Sequence, residues 1–268
     1  MPFLERVRTD QVFAGLFYHE PGEPASSVEW WHEPCIAFTA FGSWEVRARR
    51  GKGEVTAGSV LVSEGKAEHD CRHPDGVGDR MLCVLYQGDV DTGPVLVAPQ
   101  VAALHSLRRS LAAELRRADP DQGEVEALAF ALLGAVREAP RDSPGPSERS
   151  RVLVSRLRAE AAARYREAGL DLVAQARALG LSRTRFVHVF RDVTGVTPHR
   201  YMLELRASHA ARLLAGTRMP VTDVCFDSGF GSVPSFYAAF RAAYGTTPGA
   251  YRTAHGLSGG SARRAHLS

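Results

Sequence analysis

The 268-residue sequence predicts an α+β chain of two domains: a small β-barrel or jelly roll, a helical connector, and an all-α domain. Three observations predict it. Residues 11–90 break into short apolar or alternating runs separated by glycine-containing turns. Near residue 99 the apolar period changes from two to steps of three and four. The last hundred residues contain an internal repeat at a spacing of 50. Hydrophobic residues at 44% are enough for packed cores, so wholesale disorder is excluded. No uncharged apolar run approaches the ~18 residues of a membrane span, and the first ten residues carry charges rather than a signal core. Four irregularly placed cysteines (Cys35, Cys71, Cys83, Cys225) make no disulfide framework in a chain this long. A soluble, cytoplasmic protein with no membrane partner is expected.

The elements follow in order. Strands are expected at 28–41, 43–49, 53–56, 59–63, 68–73 and 80–86, with turns at Gly42, Gly51–Gly53, Gly58 and Gly76. Helices are expected at 99–118, where Val101, Leu104, Leu107 and Leu111 recur at helical steps, and at 123–138, with Val125, Leu128, Leu132 and Val136. They serve either as packing or as a homodimer surface. The stretch 139–150 holds three prolines, three serines and a glycine, which is linker chemistry. The expected division is therefore 1–95 for the β domain, 96–138 connector, 139–150 linker, 151–255 helical domain and 256–268 tail.

The repeat carries most of the functional information. Phe186, Phe190, Gly195, Thr197, Pro198 and Tyr201 meet Phe236, Phe240, Gly245, Thr247, Pro248 and Tyr251 fifty positions later. Upstream, Ala176-x3-Gly180 matches Cys225-x3-Gly229 once one residue is allowed into the turn. A small residue, a turn glycine and a Ser that caps the next helix are the grammar of a helix-turn-helix. Burying Phe186, Val189 and Phe190 leaves Arg183, Thr184, Arg185, Val187, His188 and Arg191 on the outer side of the first unit. In the second unit the outer positions are Val233, Pro234, Ser235, Tyr237, Ala238 and Arg241, of which Val233, Ser235, Tyr237 and Arg241, with the cap Ser232, are taken as the counterparts. These are the candidate DNA-binding residues, because a helix of this kind suits the major groove. Charge points the same way: residues 151–268 hold 17 arginines, no lysine and 7 acidic residues, a net +10, while the first 150 carry −7.

With these residues in place, 151–252 resembles the DNA-binding domain of the AraC/XylS family of bacterial transcription regulators. The matching pieces are Ala176-x3-Gly180-Leu181-Ser182, Phe190-x4-Gly195-x-Thr197-Pro198-x2-Tyr201, Leu205-Arg206-x3-Ala210-x2-Leu213-Leu214, and Gly229-Phe230-x5-Phe236-x3-Phe240-x4-Gly245-x-Thr247-Pro248-x2-Tyr251-Arg252. The resemblance implies a seven-helix double helix-turn-helix that inserts two recognition helices into successive major-groove segments of double-stranded DNA. It also implies RNA polymerase as a partner and an N-terminal β domain that binds an effector or dimerises. Where the family commonly has Arg two residues before the Phe of each recognition helix, this chain has His188 and Ala238. Cys225 replaces the usual small Ala and reads as a small buried hydrophobe.

For the effector, the alternating run His69-Asp70-Cys71-Arg72-His73 would set His69, Cys71 and His73 on one strand face. Imidazole plus thiolate is zinc-like ligation, so zinc or another soft metal is the candidate cofactor, with His32 or Cys35 as a further ligand. Three successive same-face ligands on one strand span about 13 Å, too far for one ion without a bulge, so a structural or organic-ligand pocket is the commoner reading, with a redox-active thiol as a further alternative to metal. The segment is loosely similar to the His-x-His element of metal cupins, hence a cupin-like jelly roll. The alternative function is a cupin-like metalloenzyme fused to a DNA-binding module. Trp30, Trp31 and Trp44 equally suit an apolar effector site. No nucleophile elbow, phosphate loop or dinucleotide fingerprint is present, so no catalytic residue is assigned and the chain is not expected to be an enzyme.

Overall fold

The computed structural model describes residues 3–19, 26–48, 51–56, 59–72, 79–88, 90–92, 96–99, 102–117, 119–139, 146–167 and 170–256. Strands β1 (Phe3–Arg8), β2 (Val12–His19), β3 (Ser26–Trp31), β4 (Cys35–Phe41), β5 (Ser43–Ala48), β6 (Gly51–Thr56), β7 (Ser59–Ser63), β8 (Ala67–Arg72), β9 (Asp79–Tyr86) and β10 (Leu96–Pro99) come first. Helices α1 (Ala102–Glu114), α2 (Gln122–Glu138), α3 (Glu148–Arg164), α4 (Leu172–Ala178), α5 (Arg183–Thr194), α6 (Pro198–Gly216), α7 (Val221–Asp227), α8 (Val233–Tyr244) and α9 (Pro248–His255) follow. Contacts group the chain into two units, Met1–Arg156 with Leu181–Thr197, and Leu157–Gly180 with Pro198–Ser268. No helix among the described residues is long and apolar enough to cross a membrane.

In the first unit the described strands form two sheets, ordered β1-β2-β9-β4-β7-β10 and β3-β8-β5-β6, with each neighbouring pair antiparallel. The expected α+β layout holds, but among the described residues the sheets do not close into a barrel. Side-chain alternation sorts the six-stranded sheet into two cores. Ile36, Phe38, Val60, Val62, Leu82, Val84 and Tyr86 pack with Leu104, Leu111 and Leu115 of the α1 segment and Val125, Ala129, Leu132 and Leu133 of α2. Phe17, Ala37, Leu61, Met81 and Cys83 face instead toward Trp44, Val46, Val55 and Cys71 of the smaller sheet. The two helices thus pack on one sheet face. Each fully buried Val, Leu or Phe contributes roughly 1.5–3 kcal/mol. Tyr86 is wholly buried and its hydroxyl donates to the Ala129 carbonyl at 2.7 Å, joining β9 to α2; burial pushes this phenol well above its ordinary pKa.

Several boundaries differ from the sequence expectation. The run 28–41 is two strands, interrupted at His32-Glu33-Pro34, where Pro34 has no N–H to give a ladder. β10 lies beyond the expected domain edge at 95 and occupies the start of the expected first helix. Among the described strands it is the edge of the larger sheet, paired with β7, a position that tolerates Pro99. β8 includes His69 and Cys71, and His73 lies outside the described residues. α3 starts at Glu148, inside the stretch expected as linker.

In the second unit α6 packs against α7, α8 and α9. An aromatic set joins α8 to α9 and to the turn before α8. Phe240 lies against Phe236, Tyr244 and Tyr251 at centroid distances of 5.7, 4.7 and 5.4 Å, and Phe230 against Phe236 at 5.2 Å. The Arg252 guanidinium donates to the Met219 carbonyl at 2.6 Å, tying α9 to the segment before α7.

Candidate nucleic-acid interface

The 50-residue repeat is structural. α5 starts at its N-cap Ser182, whose hydroxyl accepts from the Arg185 N–H, and α8 at Ser232, which accepts from Ser235 N–H. Pro234 sits in the first turn of α8, where no intrahelical N–H is lost. Each helix ends at a left-handed glycine, Gly195 and Gly245, whose N–H returns to Arg191 and Arg241 carbonyls respectively. Caps of this type each stabilise a helix by about 1 kcal/mol, so both start and stop are written in the sequence.

The burial pattern sorts each helix into two faces. On α5, Phe186, Val189, Phe190, Val193 and Thr194 are buried; Arg183, Thr184, Arg185, His188, Arg191 and Asp192 are exposed and Val187 is half-buried. On α8, Phe236, Phe240, Ala243 and Tyr244 are buried; Pro234, Ser235, Tyr237, Ala238, Arg241 and Ala242 are exposed, with Val233 and Ala239 half-buried. Ser232 is exposed at its cap. Every sequence-chosen DNA-binding residue therefore lies on an exposed face, an edge of it, or a cap. Cys225 is fully buried and its thiol is pushed up by burial, in keeping with a small packing residue.

Sequence reasoning did not find what fixes the turn before α8. Gly229 has φ +83°, and a Cβ there would lie 2.9 Å from the Arg166 Cα and from the Arg166 and Tyr165 carbonyl oxygens. Arg166 donates to the Asp227 carbonyl at 3.0 Å and to its carboxylate at 2.6 Å. Arg206, part of the Leu205-Arg206 motif, donates to the Tyr165 carbonyl at 2.8 Å. The Arg212 guanidinium lies 2.7 Å from Nδ1 of His209, which makes that nitrogen the acceptor; Nε2–H then donates to the other Asp227 oxygen at 3.1 Å. No periodicity links residues 61 and 18 positions apart, so only the Arg206 motif hinted at the brace.

This brace titrates. Burial, above all, holds His209 below its ordinary pKa, with Arg212 and Arg166 pushing the same way against Asp227. Burial also lowers His255. The His209 hydrogen bond, first, holds the Asp227 carboxyl low. As pH falls through about 6.5 the unfolded chain takes up histidine protons before the folded one, so stability declines in that window; the Asp227 contribution is lost only below about pH 4. His209→Gln should flatten the slope of stability between about pH 7 and 5, leaving the His255 part. Identical slopes in denaturant titrations of the two proteins would remove His209 from this account.

The candidate effector residues are only partly brought together. Cys71 is buried between the sheets with Trp44, Val46 and Cys83. Asp70 and Arg72 point away from that core and pair with each other at 2.9 Å. Cys35 is buried on β4, whereas His32 is exposed in the β3–β4 turn. His69 is on β8, but its side chain, like those of Trp30 and Trp31 and all of His73, lies outside the described residues. Among the described residues no three His, Cys, Asp or Glu side chains gather as metal ligands. Trp44 is buried with its indole N–H donating to Thr39 at 3.1 Å, a packing role.

Comparison with known proteins agrees with this geometry. A helix-turn-helix domain family model matches residues 175–254. The RCS-specific HTH-type transcriptional activator RclR of Escherichia coli K12 is 39% identical over 69 residues, 26% of this chain and 24% of that protein. The probable transcriptional regulator LumQ of Photobacterium leiognathi is 38% identical over 68 residues, 25% of this chain and 27% of that one. The HTH-type transcriptional activator RhaR of Klebsiella pneumoniae is 30% identical over 139 residues, 51% of this chain and 49% of that one. The matched stretch thus spans about a quarter of the length of the first two relatives and about half of the third. Among solved structures, ToxT from Vibrio cholerae aligns over 92% of this chain and 99% of its own with 11% identity and a TM-score of 0.36. Residues 175–254 thus match a helix-turn-helix domain, and the proteins similar to this stretch are transcription regulators.

Proposed function

We propose that the protein is a sequence-specific, double-stranded-DNA-binding transcription regulator working in the cytoplasm. α5 and α8 act as its two major-groove readers, and the two-sheet unit as an effector-binding or dimerising part. The observation that carries this reading is the repeat of two helices, fifty residues apart, each capped by Ser, closed by a left-handed Gly, anchored by a Phe pair and exposed on the opposite face. The net charge of +10 on residues 151–268 supplies the attraction to phosphate that such a reader needs. Arg183, Thr184, Arg185 and His188 offer hydrogen-bonding groups to base edges, and Arg191 and Arg241 suit the phosphates that set register. RNA polymerase and a second copy of the chain are the further partners of this reading. Regulation would come from an organic effector or a soft metal engaging the sheets near Cys71, with Cys35, His32, His69 and His73 as the residues to vary.

Selection from a randomised duplex library, followed by affinity measurements at several salt concentrations, tests the proposal. A preferred sequence should emerge and log K should fall linearly with log salt, by about 0.9 per neutralised phosphate. Arg241→Ala should weaken preferred and random DNA alike and reduce that slope by about 1. Affinity for the selected sequence no higher than for random duplex would overturn the reading.

A further inference from the structure

The two readers present matched positions with different chemistry. Arg183, Thr184 and His188 of α5 correspond, fifty residues on, to Val233, Pro234 and Ala238 of α8, while Arg191 and Arg241 are alike. Apart from Ser235, the outward N-terminal part of α8 is thus methyl and ring carbon: Pro234 and Ala238 are exposed and Val233 is half-buried at its edge. Tyr237 adds a ring that is 39% exposed. That ring is held edge-on to Phe236, with centroids 5.7 Å apart and planes at 82°, and Phe236 is itself fully buried. A ring positioned in this way loses little freedom on contact. Arg241 follows Ala238 by three residues on the same exposed face, so the apolar patch adjoins a positive charge that suits the DNA backbone.

In the major groove the donor and acceptor code of guanine, adenine and cytosine needs polar side chains, whereas the thymine C5-methyl is met by apolar ones. We propose that α8 reads thymine methyl groups through Val233, Pro234, Tyr237 and Ala238, so that the binding site is bipartite, with hydrogen-bonded bases under α5 and methyl-rich steps under α8. The inference rests on the DNA-binding reading above and goes beyond it by assigning the base chemistry of one half-site. N-terminal residues of a recognition helix are the ones that reach base edges, and all four named residues lie in the first two turns of α8.

Deoxyuridine in place of thymidine keeps base pairing and removes only the methyl. Full-length protein is titrated with the library-selected duplex and with versions in which each thymine is replaced in turn. The α8 half is located as the positions whose base preference changes in a selection with Ala238→His, and the α5 half as those that change with Arg183→Ala. Deoxyuridine should lower affinity about fourfold per methyl at two or more positions in the α8 half, the worth of one buried methyl, and leave the α5 half unchanged. Ala238→His, which brings back the imidazole found at the matched α5 position, should abolish that sensitivity at one of those positions. Unchanged affinity for every deoxyuridine duplex, or sensitivity confined to the α5 half, overturns the inference while leaving DNA recognition standing. A library that yields no preferred sequence overturns the DNA-binding reading instead, and this inference with it.

Discussion

Gly229→Ala should destabilise the second unit by roughly 2–5 kcal/mol and cost the protein its ordered α7–α8 turn. Two effects add. A Cβ at φ +83° carries the left-handed penalty, and that Cβ would sit 2.9 Å from main-chain atoms of Tyr165 and Arg166. Backbone cannot swing aside as a flexible side chain can, and here Arg166 is pinned by its bonds to Asp227 while Arg206 holds the Tyr165 carbonyl. The matched turn supplies the control. Gly180 has nearly the same φ, +82°, yet nothing lies within 4 Å of its notional Cβ. Gly180→Ala should therefore cost only the conformational part, about 1–2 kcal/mol. Urea unfolding followed by circular dichroism separates the two. Equal losses would mean that conformation alone matters and that the close approach at Arg166 yields readily.

That contrast shows what the sequence could reveal. Gly180 and Gly229 are alike in one dimension, and both were legible as turn glycines because a left-handed residue between two helices has few alternatives. The same holds for Ser182 and Ser232 as caps, the Phe pairs, and Gly195 and Gly245. Each is demanded by local backbone or by one buried helix face, so spacing alone reports it. The brace around Asp227 depends on groups brought together by the tertiary fold and leaves no local pattern. In the first unit, the strand at 59–63 was legible to the residue, but not that Val60 and Val62 would face helices while Leu61 faced a second sheet. Burial on both faces erases the polar alternation that tells one side from the other. Alternation around Cys71 survived, because Asp70 and Arg72 remain paired toward solvent. The convergence of ligands onto Cys71 was a further step, and strand parity by itself carries no information about distances across the two sheets.

Alanine at Arg183 and at His188 should each cost about 1–3 kcal/mol of binding to the selected DNA sequence, a loss large enough to erase much of its preference over random duplex. Both side chains are exposed on α5, away from the buried Phe186–Phe190 face, so the fold should change by less than about 0.5 kcal/mol and the loss will be one of binding. The two variants differ in a second readout. Arg183→Ala removes a charge as well as a fork of donors, and should also lower affinity for random DNA and shallow the salt slope. His188→Ala removes a hydrogen-bonding ring but no guanidinium, and should change random-DNA affinity and slope less than Arg183→Ala does. Because the residues are five positions apart on one helix, their effects need not add, and the double variant measures the coupling between neighbouring base contacts. A uniform loss across selected and random sequences for His188→Ala would place that side chain at the phosphates. α5 would then set position, as Arg191 is expected to, and the choice of bases would rest on fewer residues than its exposed face offers.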